Sequence, residues 1–145
     1  MSNRRSDAIR QLDELNARAI GDDVLIDVAD ARVRDAALAQ AEARGLDGPL
    51  VWAAGQGWHP GVVGIVAARL KEATNRPAVV IGVEGGIGKG SARSVSGVDL
   101  GAAVQRVAAE GLFLKGGGHK MAAGLTVEED KIEAAMGHSE KKGAA

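Results

Sequence analysis

The stretch that most constrains the fold runs from Leu50 to Val83 and reads LVWAAGQGWHPGVVGIVAARLKEATNRPAVVIGV. Leu50–Ala54 is short, apolar and followed by glycines, which predicts a buried strand. Pro60 suits the first turn of a helix, where its missing N–H would be unpaired anyway. Val62, Val63, Ile65, Val66 and Leu70 then give one apolar face, while Arg69, Lys71 and Glu72 face outward. Asn75-Arg76-Pro77 stops that helix, and Ala78–Val83 predicts a second apolar strand. Strand, helix and strand within about 35 residues form a βαβ unit, so the two strands should be parallel with a right-handed crossover.

The remaining elements extend this unit. Ile9, Leu12, Leu15 and Ala19 fall at helical spacing, and a second helix is expected from about Asp23 to Arg44. Within it, the run VLIDV could instead be a short strand. Glu84-Gly85-Gly86 is a turn, and Gly88–Val95 reads as a third strand, antiparallel to the second. Asp99 or Ser96 can cap a helix from about Leu100 to Glu110. Leu125–Val127 is a candidate final strand. A closing helix is expected from Glu128 to about Met136, with Thr126 and Glu129 at capping-box spacing. Three regions result: 1–48 a helical connector, 49–137 the α/β domain, and 138–145 a tail expected to fray. The expected fold is α/β, a mixed sheet with a βαβ unit and flanking helices, preceded by an amphipathic connector helix.

Composition excludes several functions. The net charge is −1, so any nucleic-acid contact must come from a local basic patch. There is no cysteine, which removes disulfides and thiolate metal sites. Trp52, Trp58 and Phe113 are the full aromatic set, too few for a surface that stacks base after base. The charged start MSNRRSDAIRQLDELN is not a signal peptide, and no window reaches membrane-span length, so a cytoplasmic protein with no membrane partner is expected.

Chemistry-bearing residues gather at the ends of predicted elements, where an open α/β sheet binds its ligands. They are Trp58-His59, Lys89-Gly90-Ser91-Ala92-Arg93-Ser94, and the run GGGHKMAAG at Gly116–Gly124. Gly116, Gly117 and Gly118 leave backbone N–H groups uncovered for an anion, or else turn tightly for packing. Arg93 offers a planar fork, Ser91 and Ser94 offer hydroxyls, and His119 can donate to a phosphate oxygen. His59, read alone, is a helix cap, and it is also a candidate substrate ligand. The set suits a phosphate backbone. A phosphate-loop pattern fails at GVEGGIGKGS, because Lys89 is followed by Gly90. A Ser91–His119–Asp99 hydrolase lacks a nucleophile elbow. His59, His119 and His138 stand far apart with no acidic cluster, so no metal site is expected.

GWHPGVVGIVAARL at 57–70, RP at 76–77, KGSARS at 89–94 and GGGHKMAAGL at 116–125 occur in that order. Together they resemble the DHHA1 domain of RecJ-type single-strand-specific DNA exonucleases, in the DHH phosphoesterase superfamily. LDELNAR at 12–18 resembles the connector helix of that family, so the likeness covers about residues 12–130. The resemblance implies degradation of single-stranded DNA from the 5′ end, using manganese or magnesium held by a DHH catalytic domain. The DHHA1 domain would face that domain and hold the substrate's phosphates. Ser91 and Arg93 would grip one phosphate, and Gly117, Gly118 and His119 another near the scissile bond, with His119 as donor or transition-state stabiliser. Gly116 stands where the family often has an aromatic residue, and Ala92 where it often has glycine. The Asp-His-His motif does not occur in these residues, so this chain alone is not expected to cut DNA. The competing readings are a nucleotide-binding module of another DHH-family phosphodiesterase, acting on cyclic dinucleotides or short oligonucleotides, and a domain whose glycines serve packing alone.

Overall fold

The structure is a computed structural model of the 145-residue chain, and residues 22–137 are described below. The expected first helix and the tail at 138–145 lie outside the described residues. In chain order the elements are α1 (Asp22–Arg44), β1 (Val51–Gln56), α2 (Pro60–Thr74), β2 (Ala78–Glu84), β3 (Ile87–Arg93), α3 (Leu100–Ala109), β4 (Lys115–Gly118) and β5 (Ala122–Glu128). A 3-10 turn at Glu129–Lys131 leads into a helical stretch at 132–137. VLIDV is therefore helical, inside α1. The five strands form one sheet in the order β1-β2-β3-β5-β4.

β1 and β2 are parallel, as the βαβ pattern requires, and every other pairing is antiparallel. α2 starts at Pro60 with His59 as its N-cap, the His59 Nδ1 accepting from the Gly61 N–H at 2.9 Å. It ends at Asn75, whose φ of 54° is left-handed and whose N–H donates to the Lys71 carbonyl at 2.7 Å. The β2–β3 hairpin turns on Gly85 and Gly86, at φ of 60° and 80°, a turn that needs positive φ at both central residues.

Alternation along the strands splits the core in two. Val51, Ala53, Ala78 and Val80 face α1 and α2, meeting Ala37, Ala41, Val62, Val63, Val66, Ala67 and Leu70. Trp52, Val79, Ile81, Val83, Ala92, Ala123, Leu125 and Val127 face the other way, onto Leu100, Val104 and Val107 of α3 and onto Ile132, Ala135 and Met136. Asp99 caps α3, its Oδ1 accepting from the Ala102 N–H at 3.1 Å. The expected capping box does not form. Thr126 lies inside β5, and no side chain caps the 3-10 turn.

Two contacts lock the helices to the sheet. Trp58, just before α2, lies across a glycine pair: Gly55 and Gly82 are register partners on β1 and β2. A β-carbon at Gly55 would stand 2.0 Å from Trp58 Cε2, and one at Gly82 would stand 2.0 Å from the Trp58 carbonyl oxygen. The outer edge of β1 is closed by α1. Gln40 Nε2 donates to the Ala54 carbonyl at 2.8 Å, and the Ala54 N–H donates to Gln40 Oε1 at 3.0 Å. Arg44 Nη1 donates to the Trp52 carbonyl at 2.6 Å, while its guanidinium lies 3.6 Å from the Trp52 ring centroid. The edge thus meets side chains instead of a further strand.

Gly82→Ala should destabilise the domain by about 2 kcal/mol or more, because the new methyl strikes backbone that cannot yield cheaply. Urea unfolding followed by tryptophan fluorescence checks this, and an unchanged midpoint would refute the contact.

Candidate functional site

The helix-covered face of the sheet becomes bare toward β5 and β4. α2 packs on β1, β2 and β3, while α3 serves β4 and β5 from the opposite side. The pairing of β3 with β5 and of β5 with β4 fixes what this bare face displays. Arg93 lies opposite Ala122, and the His119 N–H donates to the Ala122 carbonyl at 2.7 Å. Ser91 lies opposite Gly124, which lies opposite Gly117. Each row crosses three strands about 4.8 Å apart, and successive rows lie about 6.8 Å apart, two residues of strand rise.

Arg93 is half-buried, held by a hydrogen bond from Nη1 to the Ala92 carbonyl at 2.9 Å. Among the described residues no carboxylate pairs with it. A half-desolvated cation without a counter-charge is a poised anion ligand. Gly64, in the middle of α2, makes room for it. A β-carbon there would lie 3.0 Å from Arg93 Nη2 and 3.4 Å from Ser91 Oγ. Pro60, Gly61, Gly64, Ala68, Ser91 and Arg93 are among the residues lining the resulting open hollow. Sequence reading missed Gly64. Its one signal was a glycine inside a helix, where it costs about 1 kcal/mol relative to alanine.

The glycine run is not a loop. Lys115–Gly118 is the edge strand β4, paired with a β5 that already begins at Ala122. The N–H groups expected to face an anion therefore lie along an edge strand. Since His119 bonds to Ala122, strand alternation turns Gly117 and Lys115 toward β5 and sends the Gly116 and Gly118 amides to the free edge. The glycines also have packing reasons. A β-carbon at Gly116 would stand 2.5 Å from Val104 Cγ1. Gly118 has φ of 152°, and a β-carbon there would stand 2.6 Å from the Ala122 carbonyl oxygen.

Other expected ligands sit elsewhere. Ser94 is fully buried. Its Oγ donates to the Val98 carbonyl at 2.8 Å, and its N–H donates to the Met121 carbonyl at 2.9 Å. It ties the β3–α3 loop to the β4–β5 turn, under the site. His59 is occupied as the α2 cap and borders a separate hollow with Trp58, Gln56 and Arg32. His119 is exposed at the end of β4. Among the described residues no group of three histidine, aspartate or glutamate side chains converges, so their donor set does not fit a metal centre.

Residues 47–141 match the model of the DHHA1 domain. The chain belongs to the DHHA1 family. This DHHA1 chain is 40% identical over 104 residues to the single-stranded-DNA-specific exonuclease RecJ of Bacillus subtilis (strain 168), covering 70% of this chain and 13% of that protein. It is 48% identical over 79 residues to RecJ of Escherichia coli (strain K12), covering 52% of this chain and 14% of the relative. Among solved structures it is similar to RecJ of Thermus thermophilus in complex with Mg2+, with TM-score 0.72 and 32% identity, covering 92% of this chain and 19% of that one. The C-Ala domain of Aquifex aeolicus alanyl-tRNA synthetase shares the fold at TM-score 0.56 and 16% identity, covering 66% of this chain and 90% of that one. The DHHA1 chain thus spans about an eighth of the RecJ relatives it matches.

The two serines of KGSARS should separate. Ser94→Ala removes the fully buried hydroxyl and its bond to the partly buried Val98 carbonyl, and should cost about 1–3 kcal/mol. Ser91→Ala, on the open face, should change stability by less than about 0.5 kcal/mol. Thermal unfolding of the two variants side by side reads the difference, and equal losses would contradict the burial of Ser94.

Proposed function

We propose that this chain is the substrate-holding part of a RecJ-type 5′→3′ single-stranded-DNA exonuclease, acting in the cytoplasm. The observation that carries the reading is Arg93: half-buried, free of any carboxylate among the described residues, and set beside Ser91 in the open hollow where α2 borders the bare part of the sheet. Its planar fork grips one DNA phosphate, with the Ser91 hydroxyl donating to the same group. His119 ends the same cross-strand row as Arg93 and donates to a phosphate oxygen, stabilising charge that grows there during hydrolysis. The small Ala122 lies between them, and Gly117 keeps the neighbouring row low. The Gly116 and Gly118 amides are further donors at the edge. Ser94 and His59 act through position, one fixing the loop beneath Arg93 and the other starting α2.

In this reading the bond-breaking chemistry belongs to a DHH domain outside these residues. Manganese or magnesium held there would activate the attacking water and neutralise the phosphoryl oxygens. The RecJ likeness supports this partner domain, and so does the Mg2+ or Mn2+ in the Thermus thermophilus structures. Among the described residues no helix is long and apolar enough to cross a membrane. This chain holds DNA in place and keeps the phosphodiester presented to the metal-bearing partner.

Titration with 5′-phosphorylated single-stranded DNA at low salt tests the reading. Arg93→Ala and His119→Ala should each weaken binding about ten-fold or more, the worth of a charge-assisted hydrogen bond, with unchanged melting temperature. Manganese added to this chain alone should release no nucleotides. Preferential binding of a cyclic dinucleotide would move the assignment to a small-nucleotide phosphodiesterase. Unchanged binding in both variants would overturn the site.

A further inference from the structure

A third row continues the bare face beyond Ser91, Gly124 and Gly117. Lys89 on β3 lies opposite Thr126 on β5, and Thr126 lies opposite Lys115 on β4. The two lysines therefore stand two strands apart, about 10 Å, with a hydroxyl between them. Lys89 and Lys115 are exposed, and among the described residues neither meets a carboxylate. Lys89, Lys115, Gly117, Gly124 and Thr126 line one open hollow of about 340 Å³. It adjoins the Arg93 hollow, because Ser91 is the register partner of Gly124.

The middle row is bare without a packing reason. Gly117 and Gly124 do not have positive φ. A β-carbon at Gly124 would meet nothing closer than the Gly90 carbonyl oxygen at 3.8 Å, and one at Gly117 nothing closer than Gln105 Nε2 at 4.0 Å. Glycine inside a strand forfeits stability and marks a place where another backbone comes close. Gly116, Gly118, Gly55 and Gly82 differ, since each is pressed against a neighbour. Beyond the lysine row the face carries no unpaired cation among the described residues. Ile87 pairs with Glu128, whose carboxylate lies 3.3 Å from Lys131 Nζ.

We infer that the Lys89–Thr126–Lys115 row is a second phosphate subsite for a single nucleic-acid strand. The inference rests on the phosphate reading of Arg93 and Ser91. One phosphate sits at the Arg93 row, the next passes over the bare floor of Gly124 and Gly117, and the one after that sits between the two ammonium groups. The Arg93 row and the lysine row are two row spacings apart, about 13.6 Å, which leaves room for two extended nucleotide steps and not one. The strand thus runs along β3 and β5, and Glu128 marks where the track ends. The subsite takes any polynucleotide backbone, since it reads phosphate and not base.

The test compares the whole chain with Lys89→Met/Lys115→Met, Gly124→Val and Arg93→Ala, using 5′-phosphorylated oligothymidylates of one and four nucleotides. The double lysine variant should bind the mononucleotide within two-fold of wild type and the tetranucleotide about ten-fold more weakly. Its log-affinity against log-salt slope should be shallower by about 0.7 per lost phosphate contact. The double Lys→Arg variant should keep wild-type tetranucleotide affinity. Gly124→Val should fold normally and lose tetranucleotide affinity by filling the floor. Arg93→Ala should weaken both lengths. If Arg93→Ala weakens both lengths while the double methionine variant keeps wild-type affinity and slope, the second subsite is overturned and the Arg93 reading stands. If Arg93→Ala changes neither length, both fall together.

Discussion

The seven-residue pairing of β3 with β5 sets everything that the bare face displays. Ile87 to Arg93 run against Glu128 to Ala122 without a break. In that register Ala92, Ala123, Leu125 and Val127 point into the core, while Lys89, Ser91, Arg93 and Thr126 point out. A slip of one residue would exchange the two sets, burying three polar or charged side chains of β3 and exposing the apolar ones. The cost of burying Lys89 and Arg93 unpaired fixes the register as firmly as the apolar contacts do. The core and the candidate site are thus two faces of one alternation.

Much of this was legible in the residues. The βαβ unit, the His59-Pro60 start of α2, the Asn75 stop and the Asp99 cap each follow from local chemistry that the tertiary structure keeps. β4 and the first half of β5 were hidden. Gly116, Gly117 and Gly118 have no strand propensity, and Ala122 to Gly124 have little. They are extended because β5 is templated by β3 and β4 by β5, a long-range cause that no local window contains. Thr126 and Glu129 had capping spacing, but the same templating drew Thr126 into the strand.

At the site, residue types were readable and directions were not. Ser91 and Ser94 are three apart in one motif, an odd spacing that puts them on opposite sides of an extended chain, and only the structure shows which side is the core. Lys89 drew notice only as part of KGSARS. Its relation to Lys115 exists through Thr126, and neither of those two residues belongs to a quoted motif. The glycines carried the same ambiguity. Some are there because a neighbour presses on them and others because nothing does, and sequence writes both with one letter.

The Gln40 and Arg44 bonds to β1 bear on how α1 can move. A helix held to a sheet by apolar contact alone can creep sideways, trading one methyl contact for another. Gln40 instead answers both the N–H and the carbonyl of Ala54, and Arg44 takes the carbonyl of Trp52 two residues back. Those directional bonds break together before they can reform one step along. α1 therefore behaves as a latch on the sheet's rim, either engaged or released, and not as a sliding bearing.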